Sequence, residues 1–284
     1  MKGERKAGPA ITCTRDRAAG LVLVAVLLSA VTASAQDAAM DMGPMQGGSP
    51  PADARDPHAY SGGQDFGPGK LELADTRRLA SLRVENLEAV RANGNTSVPY
   101  DLEAWYGRTY DRAVLKAEGD IDGGEIVEAR TELLWGHAFA AFWDSQLGVR
   151  YDSGEGPNRE WLAFGIEGLA PYWFDIEATA YLGESGRSAL RLDASYDLLL
   201  TQKLVLQARI EANIYGKRDV ERGLGNGLSA VSAALRVRYE IRRELAPYFG
   251  VEWVRKYGET EDFARAAGDD PSDARLVAGL RFWF

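Results

Sequence analysis

Sulfur and imidazole side chains are scarce in this sequence of 284 residues. The single cysteine, Cys13, lies near the N-terminus, and the two histidines are His58 and His137. The chain that follows Cys13 therefore cannot form a disulfide, a thiolate metal site or a cysteine nucleophile. The His–Ser and His–carboxylate pairs of hydrolytic enzymes also find little support.

Long apolar segments are equally scarce, and the longest runs from 18 to 32, where Ser29 is the polar exception. A basic segment precedes it, and the small residues of 33–35 follow it. This order predicts a secretory signal peptide over residues 1–35, cleaved before Gln36. The alternative is a membrane-anchor helix, but the apolar run is shorter than the ~18–20 residues that such a helix needs.

Acidic residues outnumber basic ones by 42 to 33 in the whole chain. Residues 1–35 hold five basic and two acidic side chains, so the exported chain has 40 acidic and 28 basic ones. Such a chain does not bind nucleic acid by neutralising phosphates. No later segment is continuously apolar over the length of a spanning helix. The exported chain is therefore expected to be either soluble or a membrane β-barrel.

Residues 36–78 have the composition of a linker. They contain five of the eleven prolines, with Gly, Ala, Asp and Gln between them, and they show no periodicity. We expect a flexible segment in the periplasm here. The folded domain is then expected over residues 79–284.

From Leu79 onward, apolar and polar residues alternate with a period of two. In Leu204–Tyr215, leucine, isoleucine and alanine occupy one face, and Gln207, Arg209, Glu211 and Asn213 occupy the other. Strand side chains alternate between faces, so each such segment predicts a strand with one apolar and one charged face. About twelve segments follow this pattern, at 80–91, 98–108, 112–119, 125–136, 139–151, 159–169, 172–183, 187–198, 203–215, 228–241, 246–257 and 275–284.

The connections and the strand ends favour an outer-membrane barrel over a soluble one. Short turns alternate with longer polar connections at 152–158, 216–227 and 258–274, and the last strand ends on Phe284. Aromatic residues, Trp161 and Tyr248 among them, crowd the strand ends, as in the aromatic girdles of membrane barrels. We therefore predict an all-β fold, a transmembrane antiparallel up-and-down β-barrel of about 12 strands. A soluble β-sandwich or lipocalin-like barrel is the alternative, because alternation alone does not tell the inside from the outside.

In a membrane barrel the charged face lines the lumen. Both signs are dense there, which fits either structural ion pairing or a polar path for a cation. His137 is expected at a short turn in a structural role, and no catalytic residue is predicted. The expected lumen residues are Asp101, Glu103, Lys116, Glu118, Glu128, Arg130, Glu132, Asp144, Arg150, Glu167, Asp175, Glu177, Arg191, Asp193, Asp197, Arg209, Glu211, Arg236, Arg238, Glu240, Glu252 and Arg281.

Three methionines, Met40, Met42 and Met45, fall within six residues of the linker, and residues 79–284 contain none. Thioethers are soft ligands that favour Cu(I). A flexible chain can wrap them around one ion, and His58 can add an imidazole. We therefore expect a copper site, with Cu(I) as the ion, at Met40, Met42, Met45 and His58. Chance clustering is the alternative.

Seven stretches of the barrel carry a family resemblance: 105–107, 142–144, 148–152, 168–174, 223–228, 235–244 and 279–284. Through them, residues 78–284 resemble the copper resistance protein B family of bacterial outer membranes. The resemblance implies an outer-membrane barrel that acts in copper resistance, with a periplasmic N-terminal region often rich in Met and His. The short Met segment of this chain departs from the richest members.

Taken together, these features predict a non-enzymatic copper-binding barrel in the cell outer membrane, which sequesters or exports copper ions. Outer-membrane lipid, copper ions and periplasmic copper proteins are the expected partners. A general small-solute porin, with incidental methionines, is the alternative. A lipolytic barrel enzyme is disfavoured because no credible His–Ser pair is visible.

Overall fold

A computed structural model describes residues 77–92 and 95–284, and these form a sheet of twelve strands. One helix, α1 (Gly258–Ala267), and three single turns of 3-10 helix lie in its connections. The strands are β1 (Leu79–Ala92), β2 (Asn95–Gly107), β3 (Asp111–Asp122), β4 (Glu125–Ala140), β5 (Trp143–Gly154), β6 (Arg159–Ala170), β7 (Phe174–Gly183), β8 (Arg187–Leu199), β9 (Leu204–Tyr215), β10 (Gly227–Tyr239), β11 (Leu245–Lys256) and β12 (Ser272–Trp283).

The sheet closes on itself, because each strand pairs antiparallel with its neighbours in sequence and β1 pairs with β12. At the seam, Leu82 and Phe284 exchange backbone hydrogen bonds of 3.0 and 2.9 Å. Within the part of the chain that the structure describes, none of the helices has the length and apolarity to span a bilayer. The predicted up-and-down barrel of twelve strands is confirmed.

The two ends of the barrel differ in their connections. Five short connections, at 108–110, 141–142, 171–173, 200–203 and 240–244, lie at the end where β1 begins and β12 ends, here called the turn end. The opposite end, here called the loop end, carries the two long connections, 216–226 and 257–271. The long connections predicted at 216–227 and 258–274 are confirmed. The one predicted at 152–158 is wrong, because β5 extends to Gly154 and leaves only 155–158 between the strands.

One predicted turn is wrong. We expected a break around His137, after Gly136, but β4 continues without interruption to Ala140 and the turn is formed at 141–142. Gly136 stays in the strand because it pairs with Arg112 on β3, and a Cβ there would lie 3.3 Å from Cγ of that arginine. The glycine therefore accommodates a neighbouring side chain within the sheet and does not begin a turn.

The connection between β11 and β12 contains α1, where the sequence analysis expected only a polar loop. Glu259 and Glu261 lie in the first turn of α1, where acidic side chains interact favourably with the helix dipole. Gly268 ends the helix in the left-handed conformation with a φ of 88°, which glycine adopts without strain.

The outward face of the sheet is apolar and the inward face is charged. Leu133, Leu162 and Ile210 are each more than half exposed, whereas Arg150 and Arg191 are buried. A water-soluble sandwich or barrel would place these groups the other way round. The soluble alternative is therefore inconsistent with the fold.

The connection 216–226 folds inward at the loop end. Asp219 accepts two hydrogen bonds from the Arg159 guanidinium, at 2.7 and 3.1 Å, and its side chain is buried. Leu224 packs against a buried cluster that includes Trp161, Tyr181 and Tyr215. This connection thus forms part of the barrel interior at the loop end.

Thr260 on α1 fastens the second long connection to the first. Its buried hydroxyl oxygen accepts a hydrogen bond from the Gly225 backbone N–H at 2.8 Å. The same oxygen lies 2.8 Å from the hydroxyl of Ser229 at the start of β10. The two long connections are therefore held together on one side of the loop end.

The Asp219–Arg159 contact predicts how the 216–226 connection responds to acid. The Arg159 hydrogen bonds lower the pKa of Asp219 below its usual value of about 3.9. The contact is therefore intact at all pH values above that value, and it weakens as the pH falls through the depressed pKa. Asp219→Asn removes the charge at every pH, and we expect this variant to lose protection of 216–226 already at neutral pH.

Hydrogen–deuterium exchange of detergent-folded protein measures this protection. Glu221→Gln is the matched control, because Glu221 also binds Arg159, at 2.8 Å, but is largely exposed. It should leave exchange in 216–226 nearly unchanged, since exposed ion pairs contribute little. Equal exchange in the Asp219→Asn variant and the unaltered protein would contradict the prediction.

Candidate functional site

A polar cavity of about 670 Å³ occupies the turn-end half of the lumen. It reaches from the turn residues Tyr110 and Phe142 to charged side chains midway along the strands. Eleven acidic and seven basic side chains line it, so the lining favours cations. The acidic ones are Glu85, Asp101, Glu103, Glu118, Glu132, Asp144, Glu167, Asp175, Glu177, Asp193 and Asp197, and the basic ones are Arg83, Arg112, Lys116, Arg130, Arg191, Arg209 and Arg281.

Lys116 on β3 reaches across the lumen to the far wall. Its ammonium donates hydrogen bonds to Glu177 on β7 at 2.9 Å and to Glu167 on β6 at 3.0 Å. A third hydrogen bond, at 3.2 Å, goes to the amide oxygen of Gln146 on β5. β3 and β7 are four strands apart in a ring of twelve, so this contact crosses the lumen.

Glu118, two residues further along β3 and on the same face, makes a second contact across the lumen. Its carboxylate accepts a hydrogen bond from Arg191 on β8 at 2.8 Å, and it also pairs with Arg130 on the neighbouring strand β4. Arg191 in turn binds Glu211 on β9 at 2.9 Å. Five strands separate β3 from β8, which places these two residues on nearly opposite walls.

Asp101 on β2 and Arg209 on β9 make the third crossing, at 3.3 Å. Arg209 also donates to Asp193 on β8 at 2.6 Å. We call Lys116–Glu177, Glu118–Arg191 and Asp101–Arg209 the cross-lumen pairs. Lys116, Glu118, Arg191 and Arg209 each have a second partner of opposite charge. Loss of one cross-lumen partner therefore costs less than the about 3–5 kcal/mol of a buried pair that is fully broken.

An aromatic wall lies beside the cross-lumen pairs, toward the loop end. The Tyr181 hydroxyl donates to Glu132 at 2.8 Å, and the Arg150 guanidinium lies 4.4 Å from the Tyr181 ring centroid. Arg150 also binds Asp152 through two hydrogen bonds, at 2.7 and 2.9 Å, and Trp161 donates to the same carboxylate at 2.9 Å. These groups fill part of the lumen and hold one another in fixed orientations.

Several aromatic residues that were predicted for the girdles face inward, Trp105, Trp161 and Tyr248 among them. Trp161 is buried in this aromatic wall, and the buried Tyr248 donates a hydrogen bond to Glu88 at 2.9 Å. The prediction was wrong at these positions because it counted aromatic residues near strand ends without assigning each to a face. Trp161 lies on the same face of β6 as Ala163 and Gly165, and assigning it to that face would have placed it inside the barrel.

The sequence-predicted copper ligands, Met40, Met42, Met45 and His58, lie outside the described residues. Among residues 77–92 and 95–284, no group of three or more His, Cys, Asp or Glu side chains is arranged to hold a metal ion. Residues 79–284 contain neither methionine nor cysteine, so the barrel supplies no soft sulfur ligand. The methionines that could offer thioethers to a cuprous ion therefore all precede the barrel in the sequence.

His137 is the one histidine of the barrel. Its Nδ1 lies 2.9 Å from the carboxylate of Asp111, and its ring centroid lies 5.6 Å from that of Trp135. Both His137 and Asp111 are exposed at the turn end of the barrel. The residue is thus oriented by a carboxylate and a neighbouring indole on the outside of the sheet.

Known proteins resemble this chain over the whole barrel. The family described as copper resistance protein B precursor (CopB) matches residues 78–284. The copper resistance protein B homolog of Pseudomonas syringae pv. tomato (strain ATCC BAA-871 / DC3000) is 47% identical over 200 residues, which cover 70% of this chain and 68% of that protein. Copper resistance protein B of Escherichia coli is 42% identical over 201 residues, covering 71% and 68%.

Solved structures show a weaker likeness. The NanC porin gives a TM-score of 0.45 at 12% identity, over 72% of this chain and 99% of the porin. The KdgM porin gives 0.41 at 12% identity, over 73% and 99%. The sequence matches across β1 to β12, taken with the closed barrel of twelve strands, establish that this chain belongs to the copper resistance protein B family.

Proposed function

We propose that this protein is an outer-membrane barrel that contributes to copper resistance by binding copper ions on the periplasmic side. The observation that carries the proposal is the family match over residues 78–284, together with two relatives that are named for copper resistance. The protein would then either hold copper ions in its N-terminal segment or release them from there to the outside of the cell.

The apolar outward face supports placement in the membrane. Leu133, Val149 and Leu162 are among the exposed apolar residues that cover the strands, and the closed ring leaves no strand edge unpaired. Trp135 and Trp173 are exposed near the turn end, as expected of a girdle in contact with lipid. Short turns face the periplasm in bacterial barrels, so a chain that enters β1 at the turn end comes from the periplasmic side.

Copper is cargo in this proposal, held by the N-terminal segment. Met40, Met42 and Met45 supply soft donors that suit Cu(I), and His58 supplies an imidazole. The barrel wall has no thioether or thiolate that could compete for the same ion. A periplasmic copper protein is the natural donor or acceptor for an ion held at that place.

The cross-lumen pairs argue against a general porin. Three ion pairs join β2 and β3 to β7, β8 and β9 through the middle of the lumen, where a diffusion porin needs an open aqueous channel. An enzymatic role also lacks support, because His137 faces outward against Asp111 and Trp135. A copper-related binding role remains the better account.

Replacing the three methionines tests the copper site. We expect Met40→Leu, Met42→Leu and Met45→Leu together to abolish tight Cu(I) binding, because leucine keeps the size of the side chain but has no thioether. Titration of the full mature chain against a coloured Cu(I) chelator measures the stoichiometry and affinity.

His137→Gln is the matched control in this titration, because His137 lies on the barrel and outside the proposed ligand set. His58→Gln should lower the affinity by less than the triple replacement does. Copper tolerance of a sensitive bacterial host gives the second readout, and the triple variant should lose any tolerance that the unaltered protein confers. Unchanged Cu(I) stoichiometry in the triple variant would end the Met-site hypothesis.

Planar-bilayer recordings separate the proposal from the porin alternative. We expect the unaltered protein to show little steady conductance, because the cross-lumen pairs obstruct the lumen. Glu118→Gln with Arg191→Gln removes one crossing and leaves the net charge of the lumen unchanged, and conductance should rise several-fold. Arg265→Gln on α1 is the control, since its partner Glu261 lies on the same helix. Large, steady, copper-insensitive currents from the unaltered protein would favour the porin.

A further inference from the structure

The ammonium of Lys116 is held in a sphere of oxygen atoms. The oxygens of Glu177, Glu167 and Gln146 lie 2.9, 3.0 and 3.2 Å from Nζ, and they come from three successive strands, β7, β6 and β5. The ammonium is mostly buried. One cation thus occupies a position that is built from two carboxylates and one amide oxygen.

Such a donor set is the one that hard cations prefer. Mg²⁺, Mn²⁺ and Ca²⁺ bind carboxylate and amide oxygens, and Mg²⁺ commonly keeps several waters beside one or two carboxylates. The cavity of about 670 Å³ adjoins Lys116, so there is space for the waters that would complete a coordination shell. The set contains no sulfur or imidazole and is poorly suited to Cu(I).

A fourth oxygen nearby points independently to a cation. Glu132 lies directly opposite Lys116 in the β3–β4 register, lines the same cavity and is 2% exposed. Its Oε1 accepts the hydrogen bond from Tyr181, but its Oε2 is buried and has no hydrogen-bond partner among the described residues. A buried, unsatisfied carboxylate oxygen is costly, and a bound cation would satisfy it.

The neighbouring guanidinium groups do not meet this need. Arg150, which pairs with Glu132 in the β4–β5 register, gives two hydrogen bonds to Asp152. Arg130 pairs with Glu118. The Oε2 atom of Glu132 therefore accepts no hydrogen bond from a guanidinium group of the described residues.

We propose that Glu167, Glu177 and Gln146, with Glu132 beside them, form a lumenal site for a hard divalent cation, and that the Lys116 ammonium occupies this site as a tethered competitor. With the ammonium in place, no three acidic side chains of the described residues are arranged to hold a metal ion, so the site forms only when the ammonium is displaced. A divalent ion entering from the cavity has to displace the ammonium. Lys116 therefore sets the affinity of the lumen for free cations. The inference goes beyond the copper role and does not depend on the methionine segment.

Mn²⁺ binding to the purified full mature chain in detergent tests the proposal, with loss of the free-ion electron paramagnetic resonance signal as the readout. We expect Lys116→Leu to bind one Mn²⁺ at least tenfold more tightly than the unaltered protein, because the competing charge is gone. Mn²⁺ should also raise the unfolding temperature of this variant more than that of the unaltered protein.

Lys116→Arg is the matched control, since it keeps the positive charge and should bind Mn²⁺ no better than the unaltered protein does. Adding Glu177→Gln to Lys116→Leu should abolish the gain, and adding Glu132→Gln should reduce it. If Lys116→Leu does not fold, as judged by the mobility of unheated protein in detergent gels, Lys116→Gln takes its place. Equal Mn²⁺ affinity in the folded neutral variant and the unaltered protein would overturn the proposal, as would a gain that survives Glu177→Gln.

The same set of variants separates this site from the copper site. Replacing Met40, Met42 and Met45 by leucine should leave the Mn²⁺ gain of Lys116→Leu intact. Conversely, Lys116→Leu should leave Cu(I) titration of the methionine segment unchanged. A Mn²⁺ gain that disappears with the methionines would place the ion outside the lumen and refute the assignment.

Discussion

Closure of the backbone hydrogen-bond ladder is the constraint on which this structure depends. A sheet surface that faces hydrocarbon has no water to satisfy an open edge, so each N–H and C=O along the strands needs a partner within the ring. The β1–β12 seam, with the Leu82–Phe284 exchange, removes the last edge. Closure also divides the side chains into two sets that cannot mix. One set faces outward and is apolar, and the other is enclosed.

Closure of the ring buries charged side chains, and each of them needs a partner of opposite charge inside the barrel. Arg191, Arg209 and Lys116 are largely removed from water, and buried charges are tolerated only with close partners of opposite sign. Partners on the adjacent strand satisfy part of this need, and partners on the far wall satisfy the rest. The cross-lumen pairs therefore brace the barrel and also determine what can enter it, so the same residues carry both stability and selectivity.

Alternation in the sequence was enough to predict the twelve strands and the two faces of each, because these properties are local to one strand. The placement of charge inside also needed the signal segment, the strand count and the terminal Phe284. It failed at Gly136, where a glycine makes room for Arg112 across the ladder, and at α1, which carries weak local signals. The pairing of Lys116 with Glu167 and Glu177 was beyond its reach. Alternation specifies a face, whereas a partner three or four strands away depends on the stagger of the whole ring. The family resemblance was confirmed, and the copper ligands of the N-terminal segment stay a prediction.

The composition of the wall has a chemical consequence for a protein that meets a redox-active metal. Copper that cycles between two oxidation states generates oxidants, and thiols and thioethers are the side chains that they convert most readily to sulfenic acids and sulfoxides. Residues 79–284 contain neither group. Oxidation of sulfur is thereby confined to residues that precede the barrel in the sequence, and the twelve strands contain no side chain of this kind.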